Sequence, residues 1–285
     1  MAVYMTKKTI AAFIYDFDHT LSTTDMQNYS FFPSLNIEPK EFWDASNVLS
    51  KEEHMDPLLS YMYLMVQESK KRGIPIKRET LVELGKAIQF FPGVLGWFSR
   101  LNEYGKTKGV EVQHYIISSG NKEIIEGSAI YKFFKKVYAC EFLFDENDDA
   151  IWPKSVINYT TKTQFIYRIN KGVLDLAEND KVNASMNDID KPIPFANMIY
   201  IADGLTDVPC MKLVKTNGGT SIAVYDKNKK PAKKLFDDGR VDFLCEADYS
   251  ENTQLDTIAK LIIDKIAPMD QLYKIHNMQI LEEKK

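Results

Sequence analysis

Four short stretches of this chain combine residue types suited to a charged, oxygen-rich substrate. The first, Asp16-Phe-Asp-His-Thr20, sets two carboxylates two residues apart. If Asp18 keeps strand geometry, both side chains share one face. Carboxylates held that close repel unless a proton or cation lies between them. A hard divalent ion such as Mg²⁺, which favours oxygen ligands, meets that need. A second acidic pair stands in Asp203-Gly-Leu-Thr-Asp207. Ser118-Ser119-Gly120 offers hydroxyls and backbone N–H groups just before a predicted helix, a combination suited to phosphate, although capping that helix is the plainer use of a serine. Lys162 opens another helical segment, where the helix dipole disfavours a cation and a reason beyond a surface lysine is called for.

Three of these stretches follow a predicted buried strand. Residues 10–15 are continuously apolar, as in a parallel strand covered on both faces, and run straight into Asp16. Residues 110–117 end at Ser118 and residues 198–202 at Asp203. Residues 137–142 and 221–225 read as further strands, with helical patterns over 93–104, 122–134 and 162–171 between them. This alternation predicts an α/β fold, a Rossmann-like parallel sheet with helices on both faces. Ligands of such sheets bind beyond the carboxyl ends of the strands, so the polar residues there are expected to converge.

Residues 22–90 break the alternation and read as helices only, over 39–49, 56–72 and 77–91. Asp56 is suited to cap the middle helix with Pro57 in its first turn, and Lys70-Lys71-Arg72 before Gly73 suit its C-terminal end. The chain is therefore expected to divide into a discontinuous α/β core, 1–21 and 91–285, and an inserted all-helical cap, 22–90. Residues 143–158 read as a hairpin around Asp145-Glu-Asn-Asp-Asp149, which lacks the EF-hand pattern and suits a solvated turn. Residues 176–197 read as a polar surface excursion and 241–249 as an edge strand. Residues 252–266 read as an amphipathic helix facing the core or a second subunit, so a homo-oligomer is possible.

In order, spacing and strand context, the four stretches resemble the motifs of the haloacid dehalogenase-like hydrolase superfamily. The helical insert between the first two resembles the cap of its phosphoserine phosphatase-like branch. The resemblance runs from about residue 9 to about residue 225 and implies a Mg²⁺-dependent phosphatase acting on a small soluble phosphomonoester. It makes Asp16 the nucleophile that forms an aspartyl-phosphate, and Asp18 the general acid and base. Asp16, Asp203 and the Asp18 backbone carbonyl would hold the ion. Thr20, Ser118 and Lys162 would bind the transferring oxygens, with Ser119 adding its N–H. Asp207 would support Lys162 and the metal. Lys181 is the alternative lysine, less suited because its polar stretch offers no helix to position it. Ala202 stands where the fourth motif commonly has Gly.

Asp18 separates the chain from the dehalogenase branch, which lacks an acid/base there. The absence of Asp-Lys-Thr-Gly-Thr and of membrane spans separates it from ion-pumping ATPases. Asp25 stands where phosphoserine phosphatases carry a Glu that meets the substrate amino group, and Arg72 and Arg78 are candidates for its partner arginine. Tyr29, Phe31, Phe32 and Trp43 either line an apolar pocket or, more simply, form the cap's own core. Two rivals to hydrolysis are a phosphotransferase that passes the phosphoryl group from Asp16 to an alcohol, and a catalytically silent phosphate-binding scaffold. The complete set of catalytic residue types disfavours the scaffold.

Composition sets the outer bounds. With 285 residues, 45% hydrophobic and 27% charged, the chain can bury a sizeable core. Thirty-six Lys plus Arg against 40 Asp plus Glu give a net charge of −4, which argues against a general nucleic-acid partner. Cys140, Cys210 and Cys245 form no CxxC pair, so neither a zinc module nor a disulfide framework is expected. No signal-peptide pattern is present, and no apolar run approaches the roughly 20 residues that cross a bilayer. The expectation is a cytoplasmic protein with no membrane partner and a small phosphorylated metabolite as its ligand.

Overall fold

Seven strands form one sheet in the computed structural model, which describes residues 8–283. They are β1 (Thr9–Tyr15), β2 (Val110–Asn121), β3 (Phe134–Phe144), β4 (Ala150–Ser155), β5 (Met198–Ala202), β6 (Thr220–Tyr225) and β7 (Phe243–Glu246). Their order is β4-β3-β2-β1-β5-β6-β7, parallel throughout except for the antiparallel β3–β4 hairpin. β1 is central, and residues 11–15 are wholly inaccessible to solvent, which is why it reads as an unbroken apolar run.

Five helices form the insert that follows β1: α1 (Met26–Tyr29), α2 (Phe31–Leu35), α3 (Pro39–Glu52), α4 (Pro57–Lys71) and α5 (Arg78–Leu84). The other helices are α6 (Val94–Thr107), α7 (Lys122–Glu126), α8 (Lys162–Lys171), α9 (Asn179–Asn183), α10 (Val208–Thr216), α11 (Lys230–Asp237) and α12 (Gln254–Glu283). α6 and α12 pack together against β1 and β2, while α8 and α10 pack together against β2, β5 and β6.

Three helix ends differ from the periodic pattern. The segments expected over 77–91 and 122–134 stop as helices at Leu84 and Glu126. A β-carbon on Gly85 would lie 2.0 Å from the Ile124 carbonyl oxygen, and one on Gly127 would lie 1.7 Å from that of Val82. The insert thus meets the core backbone to backbone, an approach open only to glycine, and both helices end there. The terminal helix, expected to stop at 266, instead continues through Pro268 to Glu283. Asp270 anchors the extension, accepting from Thr9 Oγ1 at 2.6 Å and Asn197 Nδ2 at 3.3 Å.

The inserted helices carry their own aromatic core, with Phe32–Phe42 ring centroids at 4.7 Å and Phe42–Trp43 at 5.4 Å. Asp56 caps α4, accepting from the Leu58 N–H at 2.8 Å. The acidic β3–β4 turn is not simply solvated. Lys77 Nζ donates to the Asn147 carbonyl at 2.7 Å and to Asp149 at 3.0 Å, and the Arg78 N–H donates to Asp148 at 3.1 Å. A lysine and an unpaired helix-start N–H thus draw the carboxylates onto the cap.

One buried network gives the fold a pH dependence. Trp97 Nε1–H donates to the Tyr15 hydroxyl at 2.8 Å, and that hydroxyl lies 3.1 Å from His114 Nδ1. His114 Nε2 lies 3.1 Å from Asn102 Oδ1, so both ring nitrogens have a polar partner while burial favours the neutral imidazole. Burial pushes the His114 pKa down to about 3. An unfolded histidine titrates near 6.5, so stability from this group is lost as pH falls from there toward 3. Between pH 7 and pH 4 the parent is expected to lose about 3 kcal/mol more than His114→Gln. Urea unfolding at the two pH values measures the difference, and equal losses would refute the assignment.

Candidate active site

β1 delivers Asp16 to the carboxyl edge of the sheet. Tyr15 pairs with Ile201, and the Asp16 N–H still donates to the Ile201 carbonyl at 3.0 Å, so the side chain emerges just past the ladder. The chain then folds back sharply. The N–H groups of Thr20, Leu21 and Ser22 lie 3.3, 2.8 and 3.1 Å from the Phe17 carbonyl, and His19 adopts φ 56°. Strand geometry therefore ends before Asp18, and the two carboxylates part instead of sharing a face. Asp18 Oδ1 turns to the start of the insert, accepting from the Met26 N–H at 2.9 Å and Ser22 Oγ at 3.3 Å.

Asp16 meets Lys162, the first residue of α8 and fully buried. Lys162 Nζ lies 3.1 Å from Asp16 Oδ1 and 2.8 Å from Asp207 Oδ1. Asp207 is held in turn by the Tyr200 hydroxyl at 2.6 Å and Thr206 Oγ1 at 2.8 Å. Two carboxylates thus outweigh the unfavourable helix dipole at this lysine. Lys181 lies on α9, exposed and paired with Glu178. Thr20 Oγ1 donates to Asp203 Oδ1 at 3.3 Å.

Carboxylate oxygens of Asp16, Asp203 and Asp207 all lie within 4.8 Å of one another, and the Asp18 carboxylate stands outside that cluster. Burial and then the Asp207 charge push Asp16 upward. The same two causes raise Asp203 to about 6. Burial and then Asp25 raise Asp18 to about 8. Burial pulls Lys162 down, but Asp16 and Asp207 outweigh it and hold the ammonium charged. One cation against three clustered carboxylates leaves excess negative charge, and these hard oxygen donors fit a divalent ion such as Mg²⁺.

Ser118 and Ser119 stand within β2, which runs on to Asn121, so they do not cap a helix as their place in the sequence suggests. Ser118 Oγ accepts from the Gly120 N–H at 3.0 Å, whereas Ser119 Oγ donates away to the Ile157 carbonyl at 2.9 Å. A β-carbon on Gly120 would lie 2.1 Å from Met26 Cε and 3.0 Å from Asp18 Oδ2, so the end of β2 passes close beside Asp18 and a larger residue would make the Met26 side chain shift.

A cavity of about 320 Å³ joins these groups, with Asp16, Asp18, Ser118 and Asp203 among its core residues and Asp25, Trp43 and Tyr61 among those of the cap. Asp25 Oδ1 lies 3.4 Å from His19 Nε2. Of the four aromatic residues considered from sequence, Trp43 lines the cavity; Phe31 and Phe32 are buried in the cap, and the Tyr29 hydroxyl donates to the Gln89 carbonyl at 3.0 Å. Arg72 donates to the Leu35 carbonyl at 2.9 Å and Arg78 pairs with Glu126, so neither arginine lines the cavity. Sequence reasoning missed Gln27, Tyr61, Tyr200 and Thr206. Tyr200 precedes the Asp203–Asp207 motif and Thr206 lies within it, so both were open to notice. Gln27 and Tyr61 sit on helices where residue type marks nothing.

Comparison with known proteins gives a consistent result. The family model described as haloacid dehalogenase-like hydrolase matches residues 13–212. An uncharacterized protein of Borreliella burgdorferi is 30% identical over 282 residues, covering 87% of this chain and 95% of its own. A crystal structure of a haloacid dehalogenase family hydrolase from Salmonella enterica serovar Typhi aligns with TM-score 0.59 and 15% identity, over 90% of this chain and 72% of that one. A phosphoserine phosphatase carrying a phospho-aspartyl intermediate analogue aligns with TM-score 0.52 and 16% identity, over 89% of this chain and 99% of its own. Those two structures share the fold. The family match reaches further, taking in every motif from the end of β1 to the Asp207 turn, and on that ground the chain belongs to the haloacid dehalogenase-like hydrolases.

Proposed function

We propose that this protein is a Mg²⁺-dependent phosphatase that hydrolyses a small phosphomonoester through a phosphoryl group held on Asp16. The observation that carries this reading is the buried Lys162 ammonium, 3.1 Å from Asp16 and 2.8 Å from Asp207, at the edge where β1, β2 and β5 deliver their polar residues. Lys162 holds Oδ1 of Asp16, which leaves the second oxygen to attack phosphorus. As that P–O bond forms, the bond to the leaving oxygen breaks and Asp18 gives it a proton. Water then attacks the phosphoryl group, Asp18 takes up its proton, and Asp16 is released with inorganic phosphate. Ser118 and the Ser119 N–H bind the equatorial oxygens, and Lys162 offsets the charge that gathers there. Asp16, Asp203 and the Asp18 carbonyl would hold the ion, which would supply positive charge to offset repulsion of the anionic phosphate by the carboxylates.

Purified protein is expected to release nitrophenol from p-nitrophenyl phosphate with Mg²⁺, to stop on chelation and to recover when Mg²⁺ is restored. No release from this ester or from any small alkyl phosphate would refute the proposal. Asp18→Asn tests the proton step. With alkyl phosphates its turnover is expected to fall by about 10²- to 10⁴-fold. Nitrophenol leaves without needing a proton, so rapid mixing should show a nitrophenol burst followed by slow turnover as the phosphoenzyme accumulates. Equal losses on both esters without a burst would remove the acid/base role.

A further inference from the structure

Tyr200 puts a hydroxyl into β5, a strand of otherwise apolar residues in which every side chain is wholly buried. A hydroxyl there is costly unless it is bonded. Its bond runs to the site: it donates to Asp207 Oδ1 at 2.6 Å, the oxygen that also accepts from Lys162 Nζ at 2.8 Å. Thr206 Oγ1 donates to the other oxygen at 2.8 Å. Asp207 is fully buried, and three donors engage both of its oxygens. Among the described residues, Asp16 and Asp203 each accept from one side chain, Lys162 and Thr20, and keep oxygens for other partners. The oxygen shared by Tyr200 and Lys162 matters most. Asp207 and Asp16 compete for one ammonium, and a hydroxyl donating to Asp207 offsets part of its charge and weakens its hold. That leaves Nζ free to sit 3.1 Å from Asp16.

We infer that Tyr200 is a positioning residue that acts through Asp207: its hydroxyl keeps Asp207 as the anchor of Lys162 and away from the ion, so that the ammonium stays on Asp16 Oδ1. Tyr200 touches neither substrate nor ion in this role. The effect on turnover deepens the phosphatase reading and rests on it, whereas the effect on the acidic cluster stands apart from it.

Tyr200→Phe keeps the ring and removes the donor. Calorimetric titration of the metal-free full chain with Mg²⁺ is expected to show binding about three-fold tighter or more, because Asp207 then meets the cation with a less neutralised carboxylate. Loosened packing alone would weaken that binding. With saturating Mg²⁺, kcat for p-nitrophenyl phosphate should fall about ten-fold or more as Asp207 draws the ammonium from Asp16. KM should change little, since the ammonium serves charge that gathers in the transition state. In an Asp207→Asn background the same substitution should alter Mg²⁺ affinity and kcat by less than about two-fold, because an effect carried through Asp207 vanishes with its charge. Unchanged or weaker Mg²⁺ binding, an unchanged kcat in an active enzyme, or equal effects in both backgrounds overturns the role. If the parent hydrolyses no ester, the phosphatase reading fails and the Mg²⁺ titrations alone decide. Should Tyr200→Phe fail to fold while Tyr200→Phe/Asp207→Asn folds, the carboxylate is what Tyr200 serves and the role is retained. Failure of both to fold assigns Tyr200 to packing and removes it.

Discussion

Replacing Asp16 with Asn is expected to leave a folded protein whose turnover has fallen by roughly 10⁵-fold or more. The amide is nearly isosteric with the carboxylate, but it is no nucleophile toward phosphorus, so the phosphoenzyme cannot form. Folding should survive because Lys162 keeps its bond to Asp207 at 2.8 Å, and Asp207 keeps those from Tyr200 and Thr206. Loss of one charge from a cluster in which burial and Asp207 already push Asp16 upward should raise metal-free stability, if it changes it at all. The same loss should weaken the stabilisation gained on adding Mg²⁺, since a ligand that binds only the native state stabilises it in proportion to its affinity. Phosphate release and thermal melting with and without Mg²⁺ read both effects. Turnover within ten-fold of the parent would exclude Asp16 as nucleophile.

Lys162→Met is expected to destabilise the protein strongly. The ammonium is fully buried between Asp16 and Asp207, and its removal leaves two carboxylates facing each other in the same low-dielectric site. Breaking a buried pair in this way costs about 3–5 kcal/mol. The penalty comes from the charges left behind, so it should shrink when one of them is neutralised. Lys162→Met/Asp207→Asn is therefore expected to melt higher than Lys162→Met alone, and added Mg²⁺ should recover part of the loss in the single variant. Both proteins should be inactive, because no ammonium remains for the transferring oxygens. Denaturant unfolding of the three proteins without metal measures the order. A single variant as stable as the parent, or a double variant less stable than the single, would show that repulsion between Asp16 and Asp207 is not what Lys162 offsets.

Much of this architecture was legible in advance. The uninterrupted apolar run of β1 announces a strand covered on both faces, and a polar residue directly after such a run has to lie at the sheet edge. Asp16, Ser118 and Asp203 could be placed that way. Helix ends at 84 and 126 were not legible. They depend on Gly85 and Gly127 meeting backbone across the two segments, and a periodic pattern says nothing of a neighbour. The acidic turn at 145–149 was misread for a related reason. Charge in a turn suits water equally well until Lys77 and Arg78 arrive from the cap. Strand spacing also misplaced Asp18, because the turn around Phe17 ends the alternation on which the reading rested.

By itself, the sequence determined which segments are buried strands and which carboxylates, hydroxyls and cations follow them, because apolar continuity and residue type are local properties. Only the tertiary structure decided which of those groups face one another. Lys162 reaches Asp207 across 45 residues of chain, and Tyr61 reaches the Ser119 carbonyl across 58. The same holds for the cap side of the cavity. Arg72 and Arg78 stood in sequence as its candidate cations, and packing directed one to a carbonyl on α2 and the other to Glu126. Such pairings are set by how closely separate backbones approach, and glycines mark the approach without recording what it brings together.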